Sequence, residues 1–261
     1  MRVVIGPSDH LNRVVGDRDF GQNAGKDEVG LAIRWLDHVV RGIETGLNYE
    51  PPVRLFVMGV NQWRHEAEWP LARTRYTDWY LVPQADGDGG LSTEPPAEAS
   101  TVTYTYDPDD PTPTLGGNHS SPDIPGILRV GAVDQRPNED REDVLVYSTP
   151  PLDEDVEVTG PVVVRLYAAS TALDTDFIAR LIDVYPDGTA YNLTEGLVRA
   201  RFDSESRSGK NLAFSSRGAC TSTSLSCSRR ATSSWPVTGS ACISPAATSH
   251  SSIATPTWAA T

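Results

Sequence analysis

Nothing constrains the fold of this chain more than residues 144 to 202, where strand-type alternation and turn signals repeat without a break. Val144, Leu145, Val146 and Tyr147 read as a first strand, stopped by Pro150-Pro151 and an acidic turn at Asp153 to Asp155. Val156 to Thr159 is the second. It runs through Gly160-Pro161 into the β-branched run Val162, Val163, Val164 and on to Leu166 and Tyr167. In the third, Phe177 to Tyr185, alternation puts Phe177, Ala179, Leu181 and Asp183 on one face and Ile178, Arg180, Ile182 and Val184 on the other. Pro186-Asp187-Gly188 then predicts a tight turn, because proline presets the first turn dihedral and glycine accepts a positive φ. The fourth strand spans Ala190 to Phe202. Strands at this spacing, with no helical period between them, predict an all-β sandwich.

With 261 residues, 38% of them hydrophobic, the chain can bury at least one sizeable core. Its formal net charge of -13 argues against nucleic acid as a partner, since a phosphate backbone would be repelled. The three cysteines, Cys220, Cys227 and Cys242, form neither a disulfide framework nor a zinc pattern, so a reducing, cytoplasmic location is expected. No apolar run approaches a membrane span and no signal peptide is visible, so no membrane partner is expected and the sequons at Asn118 and Asn192 carry no meaning.

The N-terminal residues have a different character. Val3, Val4 and Ile5 read as a buried strand already under way, ended by Gly6-Pro7, with Ser8, Asp9 and His10 in the following loop. From Asp27, a candidate N-cap, the residues Val29, Leu31, Ile33, Trp35, Leu36, Val39, Val40 and Ile43 recur at helical spacing, with Gly46 as the stop. A parallel-type strand, a loop carrying histidine and an amphipathic helix is how a doubly wound hydrolase sheet delivers a general base. By itself a loop histidine is more often structural than catalytic.

A resemblance sharpens the reading. Val4-Ile5-Gly6-Pro7-Ser8-Asp9-His10, Asp17-Arg18-Asp19-Phe20-Gly21 and Trp35-Leu36-Asp37-His38 resemble the end of the catalytic domain in the cocaine esterase and X-Pro dipeptidyl-peptidase (CocE/NonD) family of serine hydrolases. The likeness continues through Pro52 to Gly59, Trp63-Arg64, Trp69-Pro70, Tyr106-Asp107-Pro108, Leu115-Gly116-Gly117, Asp134-Gln135-Arg136, Leu145 to Thr149 and Asp174 to Phe177. It implies an α/β-hydrolase edge over residues 1–50 and a jelly-roll, galactose-binding-like β-sandwich over 51–205, with residues 3–45 docked against the sandwich. It also implies that His10 is the base of a Ser-His-Asp triad acting on a small acyl ester or an Xaa-Pro peptide, with no cofactor and no metal. Where the family has Trp two residues before this histidine, the chain has Ser8. No Gly-x-Ser-x-Gly elbow occurs. In the family the nucleophile and the acid precede the His loop, so the reading expects a missing N-terminal catalytic half and no turnover by this chain alone.

Between these regions, Trp63, Trp69, Tyr76, Trp79 and Tyr80 suit a domain seam better than a sugar platform. Asp107, Asp109 and Asp110 read as turn formers rather than calcium ligands. Asp134, Arg136, Asp140, Arg141 and Asp143 read as a solvated charged face. After Glu205 the composition changes: residues 206–261 contain no Asp or Glu, and Ser, Thr and Ala dominate. Such a segment predicts disorder. Re-read two bases on with GC-rich codons, Leu212 to Ser222 and Trp235 to Ala241 yield peptides resembling the family's sandwich, so a shifted frame is the sharper expectation. Two other functions compete with the hydrolase reading: a non-catalytic jelly-roll binding module, and an inactive truncated gene product. Oligomeric state is open on the sequence.

Overall fold

The computed structural model describes residues 2–8, 14–83, 89–98, 100–117, 129–166, 169–170, 172, 175–199 and, in the C-terminal stretch, the strand segments 212–215, 221–225, 238–246 and 251–256. The described strands are, in chain order, β1 (Val3–Ile5), β2 (Val14–Val15), β3 (Arg18–Asp19), β4 (Val53–Val57), β5 (Gln62–Glu66), β6 (Tyr80–Pro83), β7 (Gly89–Ser92), β8 (Thr101–Tyr106) and β9 (Leu145–Ser148). They continue with β10 (Val156–Gly160), β11 (Val163–Leu166), β12 (Ala169–Ser170), β13 (Asp176–Val184), β14 (Ala190–Arg199), β15 (Leu212–Ser215), β16 (Thr221–Leu225), β17 (Thr238–Ala246) and β18 (Ser251–Pro256). Two helices accompany them, α1 (Glu28–Val39) and the short α2 (Arg136–Glu139).

The largest sheet has six strands in the order β14-β13-β17-β9-β7-β6, and smaller sheets of order β12-β18-β8, β10-β16 and β11-β15 stand beside it. All these pairs are antiparallel except β7 with β9. One apolar cluster joins the layers: Leu145, Tyr147 and Phe177 from the six-stranded sheet meet Tyr104 of β8 and Leu166 of β11. A core shared between residues of facing sheets defines a β-sandwich. The other face of β13 is also covered, with Ile182 fully buried against Val144 and Ala190. The faces expected from alternation therefore both carry load. The hairpin from β13 to β14 closes at the expected turn, where Gly188 N–H donates to the Tyr185 carbonyl at 2.8 Å and Gly188 has φ 84°.

A second, smaller sheet has the order β1-β4-β5, with β1 parallel to β4 and β5 antiparallel to it. β4 and β5 do not join the sandwich sheets but continue the sheet begun by β1, because Val3 and Ile5 pack with Val53, Leu55 and Val57 on one face. On the opposite face Phe56 packs with Phe20, Ala24 and Val15. Arg64 of β5 ties this sheet to the sandwich through bonds of 2.9 and 2.5 Å to Glu157 of β10.

Three expectations meet a different outcome. Helix α1 is capped as expected, the Asp27 side chain accepting from Gly30 N–H at 2.8 Å. It ends at Val39, however, and has no buried residue: Val29, Ile33, Leu36 and Val40 stand exposed in an uncovered apolar face. In the charged run expected to be a solvated face, Arg136 and Asp140 are exposed and Asp134 and Arg141 half-buried, but Asp143 is buried. Gln135 and Asn138, interspersed with them, are buried as well, their amides donating to the Leu115 and Pro113 carbonyls while Asp143 accepts from Thr112 and Arg141. Four segments of the stretch 206–261, expected to be disordered, are strands. β17 inserts between β13 and β9 of the six-stranded sheet, and β18 pairs β8 over residues 251–256. Backbone ladders satisfy N–H and C=O groups whatever the side chains are, so open edges of β8, β9 and β13 recruit strands that composition does not announce. The rest of that stretch lies outside the described residues.

Candidate active site

Strand β1 places the start of the site. Its parallel partner β4 is reached through α1, so the strand, loop and helix expected from the sequence continue into a strand-helix-strand unit that takes in β4 as well. Gly6, Pro7 and Ser8 lead out of β1, with Gly6 packed beside the Trp63 ring. Asp9 and the predicted base His10 lie outside the described residues. The chain is described again from the hairpin of β2 and β3, whose register pairs Val14 with Asp19 and Val15 with Arg18.

This hairpin, four residues beyond His10, is fastened to the sandwich. Asp17 N–H donates to the Ala132 carbonyl at 2.7 Å, and the Asp17 carboxylate accepts from Arg129 at 2.6 Å. Gly131 lies so close to Val15 that a Cβ there would stand 2.0 Å from a Val15 methyl. Arg18 sits against the edge-to-face pair of Tyr185 and Tyr191, its guanidinium 4.8 and 5.0 Å from their centroids. Asp183 is buried nearby with an Oδ1 that has no hydrogen-bond partner, and desolvation pushes its carboxyl up to about 6, opposed by the Arg18 charge.

Behind the hairpin runs a buried polar network. Gln135 Nε2 donates to the carbonyls of Leu115 and Val133 and to Asn192 Oδ1, while Asn192 Nδ2 donates to the Gly131 carbonyl. Arg180, 7% exposed, donates to Glu195 at 3.0 Å and to Gln135 Oε1 at 3.3 Å. Asn192 is thus an internal fastener of its sequon, and Asn118 lies outside the described residues. The sequence reading missed this network, although the polar residues at 192 and 195 inside an apolar strand were a visible signal of buried bonding.

Other candidates resolve simply. Asp107 and Asp109 make an aspartate turn, the Asp109 N–H donating to Asp107 Oδ1 at 2.9 Å, and Asp110 pairs with Arg141. Among the described residues no group of three or more His, Cys, Asp or Glu side chains could hold a metal. Asp19 accepts from Gly21 N–H, a local turn contact. Of the aromatic group, Trp63 packs edge-on to Phe56 and donates to the Asn23 carbonyl at 2.7 Å, whereas Tyr76 and Trp79 are exposed. No helix among the described residues is long and apolar enough to cross a membrane.

With this geometry in place, the similarity to known proteins becomes specific. Residues 45–238 match the family described as the X-Pro dipeptidyl-peptidase C-terminal non-catalytic domain. The chain belongs to this family. It is 44% identical over 214 residues to the cocaine esterase of Rhodococcus sp. (strain MB1 Bresler), an alignment covering 77% of this chain and 36% of that protein. The chain therefore spans about a third of the length of this curated relative. Among solved structures, the fold is similar to an aminopeptidase from a marine sediment Thaumarchaeota archaeon, with a TM-score of 0.72, 22% identity and coverage of 98% of this chain and 47% of the other. An α-amino acid ester hydrolase gives a TM-score of 0.64 at 21% identity, covering 87% of this chain and 43% of that one. Both likenesses concern the fold.

Proposed function

We propose that this chain is the base-loop and sandwich portion of a serine hydrolase of the CocE/NonD type. His10 is the general base, and polypeptide outside these 261 residues supplies the serine nucleophile and the acid. The substrate class is a small acyl ester or an Xaa-Pro amide. The observation that carries the reading is the 44% identity to a cocaine esterase, combined with a β1-loop-α1-β4 unit that brackets His10 as such a sheet edge requires.

In the proposed reaction, His10 accepts the serine proton as its oxygen attacks the acyl carbonyl, then returns that proton to the leaving group. The sandwich contributes no reacting group. It holds the hairpin that follows the base, through Asp17, Arg18 and Gly131. The uncovered apolar face of α1 is the surface on which the remainder of the catalytic domain packs, since exposed apolar patches of this kind mark contacts.

The test is turnover of 4-nitrophenyl acetate by the purified chain. Without a nucleophile or an oxyanion hole, its rate should not exceed that of free imidazole at equal concentration. Saturable hydrolysis abolished by His10→Ala would contradict the proposal.

A further inference from the structure

Between α1 and the β1-β4-β5 sheet lies a cavity of about 560 Å³, within the size range of small-molecule sites. Its floor is one row of the sheet, because Val4, Arg54 and His65 are in register across β1, β4 and β5. Its walls include Leu31 and Trp35 of α1 together with Arg2, Arg34 and Glu50. Three arginines against one glutamate make it locally cationic in a chain whose net charge is -13.

The arginines are not equivalent. Arg34 is committed to Glu50 by two bonds of 3.1 and 2.7 Å and to the Thr45 carbonyl. Arg2 donates to the carbonyls of Glu50 and Pro51. Arg54 has no hydrogen-bond acceptor and no carboxylate among the described residues; its guanidinium lies over the Trp63 ring, 4.4 Å from the centroid, with Nε sealed from solvent. A guanidinium held over a ring by its charge keeps its Nη donors available. A half-buried, oriented and unneutralised arginine beside apolar walls is matched by an anion that also has an apolar part.

We propose that this cavity binds a small organic carboxylate, its oxygens accepting from the Nη groups of Arg54 and its apolar part lying against Val4, Leu31 and Trp35. A carboxylate fits better than phosphate because the planar fork of one arginine satisfies two carboxylate oxygens, while Arg2 and Arg34 are already committed and Val4, Leu31 and Trp35 offer apolar contact. The site is independent of the role of His10.

The experiment uses the ¹⁵N-labelled chain and follows the Arg54 Nε–Hε and Trp35 indole cross-peaks, assigned with Arg54→Lys and Trp35→Phe. Phenylacetate is the probe, with 2-phenylethanol as its neutral analogue and inorganic phosphate as an anion lacking the apolar part. Phenylacetate should shift both peaks saturably, with a dissociation constant on the order of 1 mM for a ligand of about ten heavy atoms. Arg54→Gln, 2-phenylethanol and phosphate should each bind about tenfold more weakly or worse. Should Arg54→Gln lose its dispersed spectrum, Trp35→Ala takes its place and should weaken phenylacetate at least about threefold. The proposal is overturned by the absence of a saturable shift at these peaks, by 2-phenylethanol binding as well as phenylacetate, which would make the cavity a plain apolar cleft, by phosphate binding as well, or by variants with unchanged affinity.

Discussion

Gly131→Ala probes the contact through which the sandwich holds the hairpin beyond His10. Gly131 has φ 81°, where a side chain costs about 1 to 2 kcal/mol. The new Cβ would also lie 2.0 Å from a methyl of the buried Val15 and 2.9 Å from its carbonyl carbon. Neither neighbour yields easily, since Val15 packs with Phe20 and Phe56 and the Gly131 backbone is bonded to Gly117 in both directions at 2.8 and 2.9 Å. Overpacking of this kind adds roughly 1 to 3 kcal/mol. The sum, about 2 to 5 kcal/mol, should lower the urea midpoint read by tryptophan fluorescence by about 1 to 2.5 M for a slope near 2 kcal/mol per molar. Amide exchange of residues 14–20 should accelerate in parallel. In a Val15→Ala background the same change should cost less, because the 2.0 Å collision with the methyl is gone while the positive φ and the 2.9 Å approach to the backbone carbon remain. A variant with the parent's midpoint and the parent's exchange in residues 14–20 would refute the claim that this contact fastens the hairpin.

The buried carboxyl of Asp183 gives a pH signature. Its folded value of about 6 lies above the ordinary 3.8, so the unfolded chain ionises first and stability falls as pH rises from about 4 to about 6, a loss of roughly 3 kcal/mol at 1.36 kcal/mol per unit. Asp183→Asn should therefore raise the urea midpoint at pH 7 and leave it nearly unchanged at pH 4; an equal effect at both would contradict the assignment. Arg180→Ala should cost about 3 to 5 kcal/mol by leaving Glu195 without its buried partner, and Arg180→Met with Glu195→Met should recover much of it. Denaturation midpoints of the single and double variants check this.

The sandwich was legible because alternation and turn chemistry are local. The strands expected at 144–202 fall within a few residues of β9, β10, β11, β13 and β14, and the turn at Gly188 forms as its residue types require. Strand β1 and helix α1 were legible as a strand, loop and helix in succession, but the pairing of β1 with β4 was not, since β4 was read as part of the sandwich. What escaped the sequence depends on distant partners. The burial of Gln135 within the charged run at 134–143 is invisible until Asn192 and Arg180, about 45 to 60 residues away, arrive to bond it. Strands β15 to β18 lack any apolar period and exist as ladders on neighbouring edges, a pairing that backbone groups direct. Of the candidate site, the frame around His10 was legible, while the grip on it through Arg18, Asp17 and Gly131 was not, since no motif couples a hairpin to a strand more than a hundred residues later.

The most direct test of the central claim is a chimera in which residues of this chain replace the 214 matching residues of the Rhodococcus cocaine esterase. If His10 is the base, the folded chimera hydrolyses cocaine and His10→Ala lowers its kcat/KM by about 10³-fold or more, with unchanged thermal unfolding. A folded chimera in which His10→Ala keeps its activity within about tenfold would contradict it.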